Sequence, residues 1–185
     1  MANEEWGPLA ALIGDWEGTA GLDVAFSHER NQVWETPFSE KVTMKPFGPV
    51  QNGSQTLFGL DYKTAMWRGS EENPFHTEVG YWLWDADAQV VLRCFVVPRG
   101  VTVLAGGRFE AGASGFTLTA EAASERYGIS QNLYLAKLAR TTHYETTFTF
   151  NADGSASYTE HTMLEMAELP KPLDHADSNR LVRVD

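Results

Sequence analysis

The chain has 185 residues, 43% of them hydrophobic and 21% charged, which suits one soluble globular domain spanning 1–185 with a substantial core. Its formal charge of −11 and the lack of any Lys/Arg run disfavour nucleic-acid and membrane-surface partners, since phosphates and anionic headgroups would be repelled. With Cys94 as the single cysteine, neither an internal disulfide nor a thiolate metal cluster can form within the chain.

The first residues, Met1 to Trp6, lack the basic-then-apolar run of a secretory signal, and no apolar stretch approaches the roughly 20 residues that cross a bilayer, so the cytoplasm is the expected compartment. Pro8 to Ile13 reads as a short helix. Leu12-Ile13-Gly14-Asp15-Trp16-Glu17-Gly18 opens the first strand with a Gly-x-Trp-x-Gly signature. His28 falls in a turn-like polar cluster and is read as solvated, and residues 45–56 and 67–76, rich in Gly, Pro, Asn, Gln and Glu, are expected to be loops at a barrel mouth.

Phe75-His76-Thr77-Glu78-Val79-Gly80-Tyr81-Trp82-Leu83-Trp84 starts where a polar loop enters an aromatic strand. Side chains two apart share a strand face, so His76, Glu78, Gly80, Trp82 and Trp84 point the same way. Asp85 to Ala88 then separates this strand from Val90 to Val97, where Cys94 is read as a packed core residue. Arg99 sits at a hairpin tip, and Gly106-Gly107, after Val101 to Leu104, marks a bulge or a bend.

Phe116 to Glu121 and Thr142 to Phe150 alternate cleanly, with Tyr144, Phe148 and Phe150 on one face and His143 on the other. Between them Gln131 to Arg140 carries Leu135, Leu138 and Ala139 at helical spacing. Asn151-Ala152-Asp153-Gly154 is a hairpin turn into Ser155 through Met166, on which His161 is read as solvated. Pro170 and Pro172 keep the approach to the last strand extended, and His175 stands just before Leu181, Arg183 and Val184.

The pattern predicts an all-β fold, an antiparallel closed barrel of about ten strands with one or two short helices, lipocalin-like or fatty-acid-binding-protein-like, its N- and C-terminal strands paired around an apolar pocket. The Gly-x-Trp-x-Gly signature, the Phe75–Trp84 segment with its His-x-Glu-x-Gly motif, Pro98-Arg99-Gly100, and the terminal His-to-Arg segment resemble, in that order, the nitrobindin-like haem-binding β-barrels. The resemblance implies ferric haem b as cofactor, His175 as proximal ligand to the iron, and His76 as the distal, catalytic residue beside Phe75 in the cofactor pocket. It further implies nitric oxide binding and isomerisation of peroxynitrite to nitrate, and it assigns Trp16 to plugging the closed end.

Two departures stand out. The family commonly reads His-x-x-Ala-x-Leu-x-Arg, whereas Leu181 and Arg183 lie six and eight residues beyond His175, so a bulge or a looser loop is expected there. The opening glycine run is altered to Gly18-Thr19-Ala20-Gly21. The rival reading is a haem-free carrier or sensor of a small apolar ligand in the same barrel. His76 and Glu78 also offer two ligands for a non-haem metal that takes its third from elsewhere. Gly-x-Ser-x-Gly, P-loop and His-Glu-x-x-His motifs are absent from the sequence. Apolarity on both faces of 81–84 and 90–97 is the feature a homodimer would use.

Overall fold

A computed structural model describes residues 3–184. Within these residues eleven strands close into one barrel: β1 (Gly14–Ser27), β2 (Gln32–Asn52), β3 (Gln55–Arg68), β4 (His76–Asp85), β5 (Val90–Val97), β6 (Val101–Arg108), β7 (Gly115–Ala122), β8 (Gly128–Gln131), β9 (Ala139–Phe150), β10 (Ala156–Met166) and β11 (Leu173–Val184). Neighbours pair antiparallel except β7 and β8, which meet in a short parallel pairing at Glu121 and Ala122. The first and last strands close the barrel, Trp16 standing opposite Arg183. Closure leaves no long unpaired edge, so a chain with few helices can cover its own sheet.

Both expected helices are present, the first as a longer 3₁₀ segment that starts before Pro8 and the second shorter than Gln131 to Arg140. Residues Glu4–Leu12 form 3₁₀ turns, and α1 is only Leu133–Leu138, capped by the Asn132 side chain accepting from the Leu135 amide. Among the described residues no helix is long and apolar enough to cross a membrane. Residues 45–56 are not a mouth loop: they are the long ends of β2 and β3 joined by a tight turn at Gly53 and Ser54. Composition misleads here because polar residues on outward positions of a two-stranded ribbon look like loop residues. Of 67–76, only 69–75 lie outside strands.

The closed end is aromatic and dry. Leu9 and Leu12 of the 3₁₀ segment pack on Trp16, Trp82 and Trp84, and the Trp16 indole donates to the Leu12 carbonyl at 2.8 Å. Burial of several large apolar side chains, each worth about 1.5–3 kcal/mol, fixes this end. Cys94 does not join the core: with Leu92 and Val96 it faces outward on β5 and is half-buried, while Val91, Arg93 and Phe95 point in.

A local irregularity in β1 decides what faces the interior. Gly18 pairs with Glu40 and Gly21 with Phe38, so β1 carries one more residue than β2 over this stretch, and it carries one more than β11 as well. This is a one-residue bulge, which reverses the face on which later side chains fall. Trp16 and Gly18 are inward before it; Gly21 and Asp23 are inward after it. The bulge occupies the altered glycine run, and Gly18 is held small by the Asn179 side chain, whose Nδ2 would lie 2.4 Å from an added Cβ.

Candidate functional site

The open end leads into a cavity of about 690 Å³. Its lining combines apolar side chains, among them Phe95, Val97, Val101, Leu135 and Met166, with polar and charged side chains from strands all around the barrel. Both histidines singled out from the sequence line this one cavity, His76 at the start of β4 and His175 on β11, and Phe75 lies at its rim beneath the Arg68 guanidinium, 4.0 Å from the ring centroid.

β4 delivers His76 and Glu78 to the interior by simple alternation. Nε2 of His76 lies 3.1 Å from Oε1 of Glu78, and Oε2 of Glu78 receives hydrogen bonds from Tyr62 Oη and Arg93 Nη2, each at 2.6 Å. Gly80, the third member of the motif, is there for the backbone: a Cβ would sit 1.9 Å from the Cys94 carbonyl oxygen across the β4–β5 pair. The motif thus combines an interior His-Glu pair with a close strand approach.

Arg93 is the hub beneath His76. Besides Glu78 it donates to Glu160 at 2.6 Å and to the Tyr62 and Tyr144 hydroxyls, and Tyr144 donates to Glu160 at 2.6 Å. Burial opposes ionisation of Glu78, but Arg93 and the His76 bond outweigh it and hold its carboxyl down at about 2. Glu40 has no such cation. It accepts from Thr64, Tyr158 and Asn179, and burial leaves its carboxyl above the ordinary range despite these bonds.

His175 arrives without the bulge its spacing implied. β11 pairs regularly with β10 from Leu173 to Leu181, so His175, Asp177, Asn179 and Leu181 share the inward face. An even separation of six residues puts His175 and Leu181 on one face of a regular strand, and the extra residue is taken up in β1 instead. Nε2 of His175 lies 2.9 Å from Oδ1 of Asp23 and 3.3 Å from Oδ2 of Asp177. Burial resists protonation of His175, but the Asp23 bond and the charges of Asp177, Asp23 and Glu160 raise its pKa overall. Asp177 is pushed up to about 7 by burial and by Glu160 and Asp23, with His175 opposing.

His143 and His161 are peripheral, as their strand faces indicate, and pair with Glu121 and Asp174, whereas His28, in the turn after β1, pairs with Glu168 and lines the mouth of the cavity. The sequence alone does not single out Arg93, Glu160, Glu40, Asp23 and Asp177. A signal exists for two of them, since Arg93 interrupts an apolar run at an inward position and Asp177 lies two residues from His175. Asp23 is hidden by the bulge that turns it inward.

A family model described as the THAP4-like, heme-binding beta-barrel domain matches residues 5–183. Among solved structures the chain is similar to Rv2717c from M. tuberculosis, with a TM-score of 0.67 and 17% sequence identity over 96% of this chain and 95% of that one, a likeness of fold. No curated protein matches the chain.

Proposed function

Because the chain belongs to the THAP4-like, haem-binding β-barrel family, we propose that its cavity binds ferric haem b with His175 as the residue holding the iron and His76 on the open side. The observation that carries this reading is that the two histidines line one cavity, each with one ring nitrogen engaged by a carboxylate. Metal-bound imidazoles are typically oriented in this way by an acid on the other nitrogen. Among the described residues neither His76 nor His175 has a hydrogen bond to Nδ1, so each has a nitrogen left for a ligand. The apolar part of the lining, with Phe95, Val97, Val101, Leu135 and Met166, and a volume within the usual range for cofactor pockets suit a flat hydrophobic group.

In this reading the chain's own residues bind, orient and exclude water. Asp23 fixes the His175 ring, Glu78 fixes His76, and Phe75 packs against the bound group at the rim. Bound haem supplies nitric oxide binding and, following the nitrobindin-like resemblance, isomerisation of peroxynitrite to nitrate. His76 offers a hydrogen bond to a small molecule on the open side, with Glu78 keeping that imidazole in place.

Titration of the purified protein with ferric haem tests the reading. A saturable Soret band that His175→Ala weakens strongly is the expected result. A band unchanged in the variant removes His175 from the site. Failure of the wild type to bind haem, with retained binding of an apolar fluorescent probe, transfers the cavity to the haem-free carrier reading.

A further inference from the structure

We propose that Asp23, His175 and Asp177 form a three-ligand site for a divalent transition-metal ion, which competes with haem for His175. The inference does not depend on haem binding, because it rests on the donor atoms facing His175 Nε2.

One imidazole nitrogen and one oxygen from each carboxylate lie within 4.8 Å of one another, with the imidazole 2.9 Å from Asp23 Oδ1 and 3.3 Å from Asp177 Oδ2. Two ligands each about 2.1 Å from one ion, at tetrahedral or octahedral angles, lie about 3.0–3.4 Å apart. Two of the three ligand-to-ligand spacings therefore match those of a coordination shell, and the third, between the two carboxylates, lies within 4.8 Å.

The backbone sets this geometry. Asp23 and Asp177 are direct register partners on β1 and β11, and His175 follows two residues along on the same face. All three point inward, Asp23 because of the bulge at Thr19 and Ala20. Like charges placed directly opposite on neighbouring strands are destabilising, and a metal ion drawn between them relieves that repulsion in place of the protons that His175 and Asp177 otherwise carry. Arg68 neutralises one side only, approaching Oδ2 of Asp23 at 3.4 Å and leaving Oδ1 turned to His175. This is the arrangement in which a ligating carboxylate is itself held by an outer partner.

The donor set selects the class of ion. One imidazole with two carboxylates suits Zn²⁺, Fe²⁺ or Mn²⁺ better than Mg²⁺, which demands oxygen ligands and retains its waters. Three protein ligands at the wall of a cavity leave the remaining positions open toward it, as in metal sites that bind a water or a small substrate. The surface pairs His143–Glu121 and His161–Asp174 offer two ligands apiece and no third, so they are weak competitors.

The test is calorimetric titration of haem-free, metal-stripped full-length protein with Zn²⁺, with Mg²⁺ as the control, alongside haem titration of the same samples. The expected result is one Zn²⁺ per chain, binding weakened at least ten-fold by Asp23→Asn, Asp177→Asn and His175→Gln individually, and Mg²⁺ without effect. Haem titration then separates the readings: Asp177→Asn retains the Soret band, and saturating Zn²⁺ suppresses it in wild type. Thermal melting of each variant shows whether it is folded, and the Asp177→Asn variant decides the matter if Asp23→Asn does not fold. No Zn²⁺ binding by wild type, or equal binding by folded Asp177→Asn and His175→Gln, overturns the metal site and leaves the haem reading standing on its own Soret measurement. Zn²⁺ binding lost in the variants, with no Soret band in wild type, establishes the metal site and removes haem.

Discussion

Glu78 and Arg93 meet 2.6 Å apart on neighbouring strands beneath His76, and both are almost fully buried. A buried ion pair contributes little net stability, yet removing one partner leaves the other charge uncompensated. Arg93 balances Glu78 and Glu160 at once. Arg93→Met is therefore expected to cost about 3–5 kcal/mol, measured by urea denaturation at neutral pH. Adding Glu78→Gln to that variant should recover part of the loss, because the orphaned charge disappears. Strictly additive losses in the double variant would show that the two residues do not act as a unit.

The same pair fixes the sign of the acid response. Glu78 is held at about 2, below its ordinary value of 4.5, so its contribution is fully present above pH 4.5 and is lost as pH falls toward 2. Glu40 is shifted the other way by burial, so the fold gains from its protonated form in acid and loses that gain as pH rises above 4.5. Urea midpoints between pH 2.5 and 7 should fall less steeply toward acid in Glu78→Gln than in wild type. Glu40→Gln should gain on wild type as pH rises to 7. Parallel profiles for all three proteins would contradict both assignments.

If His76 stands on the open side of bound haem, His76→Leu retains the Soret band and loses about ten-fold in affinity for a small polar or anionic iron ligand, the value of one hydrogen bond of about 1.4 kcal/mol. Glu78→Gln should produce a smaller change in the same direction, since it loosens the imidazole without removing it. Ligand titration followed at the Soret band checks both. Equal affinities in wild type and His76→Leu would take His76 out of the ligand-binding site.

Much of the barrel is readable in the sequence because its signals are local. Two-residue alternation in β4, β7 and β9 states which side chains face inward, and Trp16, Trp82 and Trp84 supply the plug at one end. The same alternation puts His76 and Glu78 on one face with no knowledge of their neighbours. What stays hidden depends on register between strands far apart in sequence. Asp23 and His175 are 152 residues apart, and their meeting requires both barrel closure and a one-residue bulge. The altered run Gly18-Thr19-Ala20-Gly21 is visible as an anomaly, but a single sequence does not show that its extra residue compensates for the spacing beyond His175. Polar residues in β2 and β3 look like loop for a related reason, since half of every strand on a solvated wall is polar.

That bulge gives a final test. Gly18 faces inward against Asn179, whose amide donates to Glu40 at 3.0 Å, so a methyl group at residue 18 drives the Asn179 side chain off that carboxylate. Overpacking of a filled interior costs about 1–3 kcal/mol, and Gly18→Ala should fall in that range. Deleting Ala20 acts differently: removal of the extra residue restores even alternation with the register beyond the bulge unchanged, so Asp23, opposite Asp177, stays inward. The deletion variant should therefore keep the strand pairing beyond the bulge and with it the contact of His175 and Asp23. In an NMR titration of the imidazole signals, His175 should keep in the deletion variant the rise in pKa that Asp23 contributes and lose it in Asp23→Asn, whereas His76, held by Glu78, should titrate as in wild type in both. Loss of that rise in a folded deletion variant would mean that the pairing beyond the bulge does not by itself hold Asp23 in the cavity.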